Sequence, residues 1–208
     1  MAISIGLTGG IATGKSLISQ ILAQFGAYII DSDKAAHEMY LPQGRLWRNV
    51  VEAFGKEVLL PDENIDRRRL GEIVFKDPQA LKRLNAATHP QIIQWAKEEI
   101  GRQKKRMGEK GVVVLESALI VDLKLFDIVD HVWVVIADKE IAVQRLCQSR
   151  GLSPQQAEDR ISSQLSNEAR VRHAHEVILN NDGVEKVEDQ VAKAWQRLWD
   201  GAQTAHSS

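Results

Sequence analysis

"GLTGGIATGKS", residues 6–16, follows the apolar run "ISI" almost at the start of the chain, and its reading governs the rest. The run before it has the composition of a strand, and residues 15–25 that of a helix closed by Gly26. A chain passing from strand to helix exposes free backbone N–H groups and the positive end of the helix dipole. A glycine-lined turn there makes a socket for phosphate. From Gly9 to Ser16 the sequence reads G-x-x-x-x-G-K-S, the Walker A pattern. The spacing has a mechanism: the loop wraps its amides around the β-phosphate, Lys15 reaches the β/γ oxygens, and the Ser16 hydroxyl binds Mg²⁺. The bland alternative is a glycine turn with a surface lysine, which would need strand, spacing and helix to coincide by chance. Nucleotide triphosphate binding is therefore the firmest expectation, with contacts along Gly9, Gly10, Ile11, Ala12, Thr13, Gly14, Lys15, Ser16 and Leu17.

Outward from this loop, β-rich runs recur at 3–7, 27–31, 112–116 and 131–137, with a weaker fifth at 176–180. They are nearly continuous in apolar residues rather than alternating, as strands covered by helices on both faces are. Helical stretches are expected at 15–25, in a charged block from about 66 to 107, and at 138–149, 153–165 and 184–200. Ser153, Pro154 and Gln156 give a start signal, and "DPQ" at 77–79 repeats the order of cap then proline. This predicts an α/β fold: a doubly wound, mainly parallel five-stranded sheet carrying the P-loop. Residues 1–39 and 108–200 would form the core, and 40–107 a helical insertion on the acceptor side. A helical lid is expected at 145–172 and a frayed tail at 201–208. No internal repeat or low-complexity tract interrupts the chain.

The 208 residues suit one domain with an insertion. With 27 basic against 28 acidic residues, nothing suggests a general affinity for nucleic acid or acidic membranes. The single cysteine, Cys147, forms no internal disulfide and reads as a small core residue. With no secretory pattern and no apolar run near the roughly 20 residues of a membrane span, a soluble cytoplasmic protein is expected. The five tryptophans suit a core or an interface, and Trp133, inside a strand, reads as core. Oligomeric state has no sequence signature here.

A P-loop fixes the donor but not the task. No asparagine precedes a lysine and no aspartate has glycine three residues on, so the NKxD and DxxG motifs of a switch GTPase are absent. Instead, "IIDSDKAAH" places Asp31 and Asp33 just past the second β run. On an extended strand end, residues two apart face the same way, which would point both carboxylates into one cleft. A carboxylate beside the γ-phosphate orients an acceptor hydroxyl and accepts its proton. The alternative is that Asp31 or Ser32 merely caps the next helix. Arg145, Arg150 and Arg160 lie on "VQRLCQSRGLSPQQAEDRISSQ", with Gly151 as a hinge, either spreading charge from the transferred phosphoryl or forming a solvated face.

"LTGGIATGKS", "IDSDKAAH", "LNAATHP" at 84–90, "QRLCQSRGLSPQQAEDRISSQ" and "AHEVILNN", in that order, resemble the dephospho-coenzyme A kinase family over about residues 3–195. The resemblance implies transfer of the ATP γ-phosphate to the ribose 3′-hydroxyl of dephospho-CoA, giving CoA and ADP, with ATP and Mg²⁺ required. It sets Asp33 on the general base and Arg145 on the lid arginine at the ATP phosphates, with Lys15 completing the catalytic set. It also places Thr8, Gly9, Gly10 and His89 on motifs lining the site and Asn180 near the adenine; Arg150, read from the arginine-bearing segment itself, is counted among the ATP contacts. Asp31 would hold either the Mg²⁺ water shell or the ribose. Glu116 either binds Mg²⁺ through water or caps its loop. His89, before a proline, is either a substrate contact or a buried turn residue.

The chain departs from the family pattern at "SALIVD", 117–122, where Ala118 replaces a proline and Asp122 a glutamate. Ala174-His175 stands for an alanine-aspartate pair, and Ala12-Thr13 for a glycine-serine. These bear on acceptor contacts, not on Lys15, Ser16, Asp33 or Arg145. Two rivals keep the donor site: a P-loop kinase for another nucleoside or small alcohol, and a nucleotide-dependent regulatory ATPase.

Overall fold

The structure, a computed structural model, describes residues 2–204, and side chains of 2–199. Five short apolar runs form one sheet: β1 (Ile3–Gly9), β2 (Tyr28–Asp31), β3 (Val112–Glu116), β4 (His131–Ile136) and β5 (Glu176–Leu179). Their order is β2-β3-β1-β4-β5. β1 lies parallel to β3, with Ile3 opposite Val112, and parallel to β4, with Gly9 opposite Val135. β5 extends the sheet parallel to β4, with Trp133 opposite Glu176. The chain leaves β1 for one edge, returns through β3, and crosses to the other side, so winding reverses at β1. The loop after β1 thus lies at the topological switch point, where α/β sheets bind their ligands. This is the doubly wound, mainly parallel five-stranded α/β fold expected from the β-rich runs.

Alternate strand residues, Ile5 and Leu7, Val112 and Val114, Trp133 and Val135, with Ile178, build one core face. Against it pack Ile18, Ile21 and Leu22 of α1 (Lys15–Gln24), and Val187, Val191 and Ala194 of α9 (Val184–Thr204). The spacing in both helices is three to four residues, so one stripe faces the sheet. Each fully buried large aliphatic side chain contributes about 1.5–3 kcal/mol. α1 stops at Gly26, whose φ of +92° suits glycine. The Gly26 amide donates to Ala23 O (3.0 Å) and the Ala27 amide to Leu22 O (3.0 Å), closing a Schellman turn.

The chain divides into two compact units, residues up to 30 with those from 103 onward, and residues 31–102. The second unit holds α2 (Ser32–Met39), α3 (Arg45–Phe54), α4 (Arg67–Lys76) and most of α5 (Pro78–Met107) around Val50, Phe54, Val58, Ile65 and Leu70. The charged block expected from about 66 to 107 is two helices, split where the Asp77 carboxylate accepts the Gln79 amide (2.8 Å) and Pro78 starts α5. His89 and Pro90 lie inside α5, so the reading of His89 as a turn residue is corrected. In the first unit, α6 (Lys139–Arg150) ends at Gly151, with φ of +63°. α7 (Pro154–Ser162) starts on a complete capping box, Ser153 with Gln156. The helix expected at 153–165 is shorter, and a five-residue helix, α8 (Asn167–Val171), follows it. α9 runs on to Thr204, while 205–208 of the expected frayed tail lie outside the described residues. Cys147 is half-buried on α6 rather than in the core. Among the described residues no helix is long and apolar enough to cross a membrane.

Candidate active site

The loop after β1 is shaped by close approaches. A side chain at Gly9 would come within 2.4 Å of the Val135 carbonyl, and one at Gly14 within 2.1 Å of Asn180 Nδ2. Gly14 also has a φ of +91°, and Ala12 accepts the left-handed region at +59°. Inside the loop the Thr13 hydroxyl donates to Gly10 O (2.9 Å). Gly14, preceding α1, carries no side chain to cap that helix, leaving its first turn open to an anion. Lys15 folds back over the loop, its Nζ 3.1 Å from Gly9 O and 3.5 Å from Gly10 O. The ammonium thus spans the ground a phosphate chain would cover, held by carbonyls that an anionic oxygen outcompetes.

β1 and β3 are neighbours, so Ser16 on the first turn after β1 faces the end of β3. Glu116 Oε1 accepts from the Ser16 hydroxyl (3.3 Å) and Oε2 from that of Ser19 (2.5 Å). The loop after β3 is capped by Ser117 Oγ, which accepts the Leu119 amide (3.1 Å), so capping is not the part Glu116 plays. A hydroxyl and a carboxylate side by side are hard oxygen donors that fit Mg²⁺, which keeps most of its waters and takes few protein ligands. Thr8 is fully buried in β1, its hydroxyl 3.5 Å from the Ala118 carbonyl.

Behind the loop, Arg145 of α6 donates from Nη1 to Ala12 O (3.4 Å) and from Nη2 to Asn180 Oδ1 (3.2 Å). Asn180, 4% exposed, donates its Nδ2 to Thr13 O (2.8 Å). Arg145 and Asn180, two of the residues that the resemblance singled out, are thus joined to each other and to the loop. Arg150 and Arg160 are exposed. Arg150 is five residues beyond Arg145, hence about 140° further round the helix, and on the other side of α6 from the loop contact.

Sequence reasoning missed Gln164 and Arg170. Gln164 Oε1 accepts the Ile11 amide (2.9 Å), and Arg170 lines a cavity of about 290 Å³ with Gly10, Ile11 and Thr13. A buried arginine looks like any other in a sequence, so no signal marked it.

In the second unit, β2 ends at Asp31 and helix begins at Ser32. The two aspartates therefore do not share an extended strand. Asp31 caps α2, its Oδ1 accepting the Lys34 amide (2.9 Å), while Asp33 lies in the first helical turn. The same-face argument for the pair fails, because the chain turns helical between them. Asp33 is exposed and lines a cavity of about 340 Å³ with His37, Tyr40, Arg67, Leu70 and Val74. Arg67 reaches His37 Nδ1 (2.5 Å) and lies 6.0 Å from the centre of the Tyr40 ring. Burial raises the Tyr40 pKa, against the opposing pull of Thr88 and Arg67, so the phenol stays protonated at neutral pH. The arrangement offers an apolar pocket with a carboxylate and a cation at its edge. His89 is half-buried in α5 and does not line this pocket.

Residues 3–186 match the family model described as dephospho-CoA kinase. The dephospho-CoA kinase of Geobacter sulfurreducens is 42% identical over 93% of this chain and 97% of its own. The solved dephospho-CoA kinase from Campylobacter jejuni superposes with a TM-score of 0.66 at 28% identity, over 97% of this chain and 100% of that one. A shikimate kinase from Acinetobacter baumannii, 16% identical, shares the fold with a TM-score of 0.54 over 97% of this chain and 95% of its own. With matches spanning nearly the whole chain and a nucleotide loop intact at Lys15 and Ser16, this chain belongs to the dephospho-CoA kinase family, whose members are ATP-dependent kinases.

Proposed function

We propose that this chain transfers the γ-phosphoryl group of ATP to the ribose 3′-hydroxyl of dephospho-CoA, releasing CoA and ADP in the last step of coenzyme A biosynthesis. The observation that carries the reading is the Lys15 ammonium lying across the Gly9 and Gly10 carbonyls, in a chain of this family. ATP replaces those carbonyls as the partner of Lys15, and the amides from Gly9 to Leu17 receive its phosphates. Arg145, already tied to Ala12 and Asn180, adds positive charge at the transferred group. Asn180 supports the adenine side of the nucleotide.

Ser16 would hold Mg²⁺ directly, with Glu116 and Asp31 acting through its waters. When bound, Mg²⁺ neutralises charge that develops between the β- and γ-phosphates. Asp33 is the general base: it aligns the 3′-hydroxyl and takes its proton as the oxygen attacks phosphorus. The pocket of His37, Tyr40 and Arg67 beside Asp33 suits an acceptor with an apolar arm and anionic groups. The partners are thus small molecules, with no role for nucleic acid or a membrane surface, and the setting is cytoplasmic. Purified protein incubated with ATP, Mg²⁺ and dephospho-CoA yields CoA, seen by mass spectrometry as acceptor heavier by one phosphoryl group. Absence of that product, with ATP hydrolysed regardless of acceptor, would refute the reading.

A further inference from the structure

Arg170 has no part in the chemistry described above, yet it is 4% exposed. Its Nη1 donates to the Leu165 carbonyl, while its buried Nε–H has no hydrogen-bond partner. A buried cationic donor left unpaired is costly, and where one persists a ligand commonly completes it. Its surroundings indicate which ligand. A methyl group at Gly10 would lie 3.6 Å from Arg170 Nη1, and the Gly10 carbonyl is also approached by Lys15 Nζ at 3.5 Å. Two cations therefore converge on one residue of the phosphate loop. From the same segment Gln164 sets its Oε1 on the Ile11 amide (2.9 Å), where a phosphate oxygen would otherwise be received. Burial lowers the Arg170 pKa and the Asp122 carboxylate opposes that shift, so the guanidinium stays charged. Asp122, one of the departures from the family pattern, thus acts on Arg170 through its charge.

We propose that Arg170 contacts the terminal phosphoryl group of bound ATP, donating its Nε–H to an oxygen that displaces Gln164 from the Ile11 amide. The Leu165 carbonyl holds the guanidinium in place for that contact. Arg170 forms no bond to phosphorus; it takes up charge while the bond to ADP breaks and the bond to the acceptor oxygen forms. The inference rests on reading the loop as an ATP site, and its test needs no acceptor.

Calorimetric titration with ATP and with ADP, each with Mg²⁺, compares wild type with Arg170→Gln and Arg170→Lys. Arg170→Gln should weaken ATP by about ten- to a hundredfold, the scale of one charge-assisted hydrogen bond, and leave ADP within about threefold. Arg170→Lys, which keeps the charge but not the Nε–H, should fall between. In steady-state assays kcat should drop while KM for dephospho-CoA holds. A purely structural arginine would weaken ATP and ADP alike and lower the melting temperature, which would overturn the proposal, as would unchanged affinity for both. If Arg170→Gln fails to fold, the ATP to ADP ratio in Arg170→Lys decides, an unchanged ratio overturning it. Failure of the wild type to make CoA would strike the proposed reaction, while the ATP to ADP contrast would still judge Arg170 alone.

Discussion

Arg145 and Asn180 meet behind the phosphate loop, Nη2 to Oδ1 at 3.2 Å, and each also binds a loop carbonyl, Ala12 O and Thr13 O. The sheet explains the encounter: β5 ends beside β4, so the residue after it reaches the loop that follows β1. Removing the amide in Asn180→Ala leaves the Thr13 carbonyl and one guanidinium N–H unpaired. We expect a stability loss of about 1–3 kcal/mol, visible as a lower melting temperature, together with weaker ATP binding. An unchanged melting temperature would show that the link contributes nothing.

Two glycines with nearly equal φ separate loop shape from backbone strain. Gly14 and Gly26 sit at +91° and +92°, but a side chain at Gly14 collides with Asn180, whereas one at Gly26 meets nothing within 4 Å. Alanine at either position carries about 1–2 kcal/mol of left-handed strain. Only Gly14→Ala should also reduce ATP affinity, by about tenfold or more. Equal ATP affinities in the two variants, measured by titration, would contradict the close packing of the loop.

Asp33→Asn should lower kcat by about 10²–10⁴-fold, the contribution of a positioned base, with ATP affinity retained. Because Asp33 also sits in the first turn of α2, its charge favours that helix by about 0.3–1 kcal/mol. The melting temperature should therefore fall only slightly. Rates within a few-fold of wild type would remove Asp33 from the chemistry.

Acid sensitivity should come in two windows. Burial and the neighbouring His175 hold the His131 pKa below 6.5, against Asp130 and Glu176. The unfolded chain then binds the proton more readily, so stability falls as pH drops below 6.5. Burial pushes the Asp130 carboxyl up, but Lys104 Nζ (2.7 Å) and the Ser4 hydroxyl (2.7 Å) and amide (2.6 Å) outweigh it. The net pKa lies below 3.8, so this contribution is complete above pH 3.8 and is lost as pH falls through the folded value. Thermal melts across pH should show His131→Gln flattening the first window and Asp130→Asn the second. Parallel curves for wild type and both variants would contradict this assignment.

The sheet and loop were legible because their signals are local. Continuous apolar runs mark strands buried on both faces, and the spacing from Gly9 to Ser16 encodes its own geometry. Start signals at Ser153 and Asp77 were equally readable, and the latter marks the break between α4 and α5. What escaped depends on packing. The aspartate pair read as one extended face because nothing nearby announces that the strand stops at Asp31, although the capping alternative was visible in the same residues. α8 is too short for a periodic pattern, and it carries Arg170. Gln164 reaches the loop across more than 150 positions of sequence, which no spacing rule spans.

The most direct measurement follows the phosphoryl group itself. With γ-labelled ATP and dephospho-CoA, label should appear on the ribose 3′-oxygen of CoA in step with ADP release, and CoA, already phosphorylated there, should accept none. Label released only as inorganic phosphate, or carried equally by both acceptors, would contradict the account.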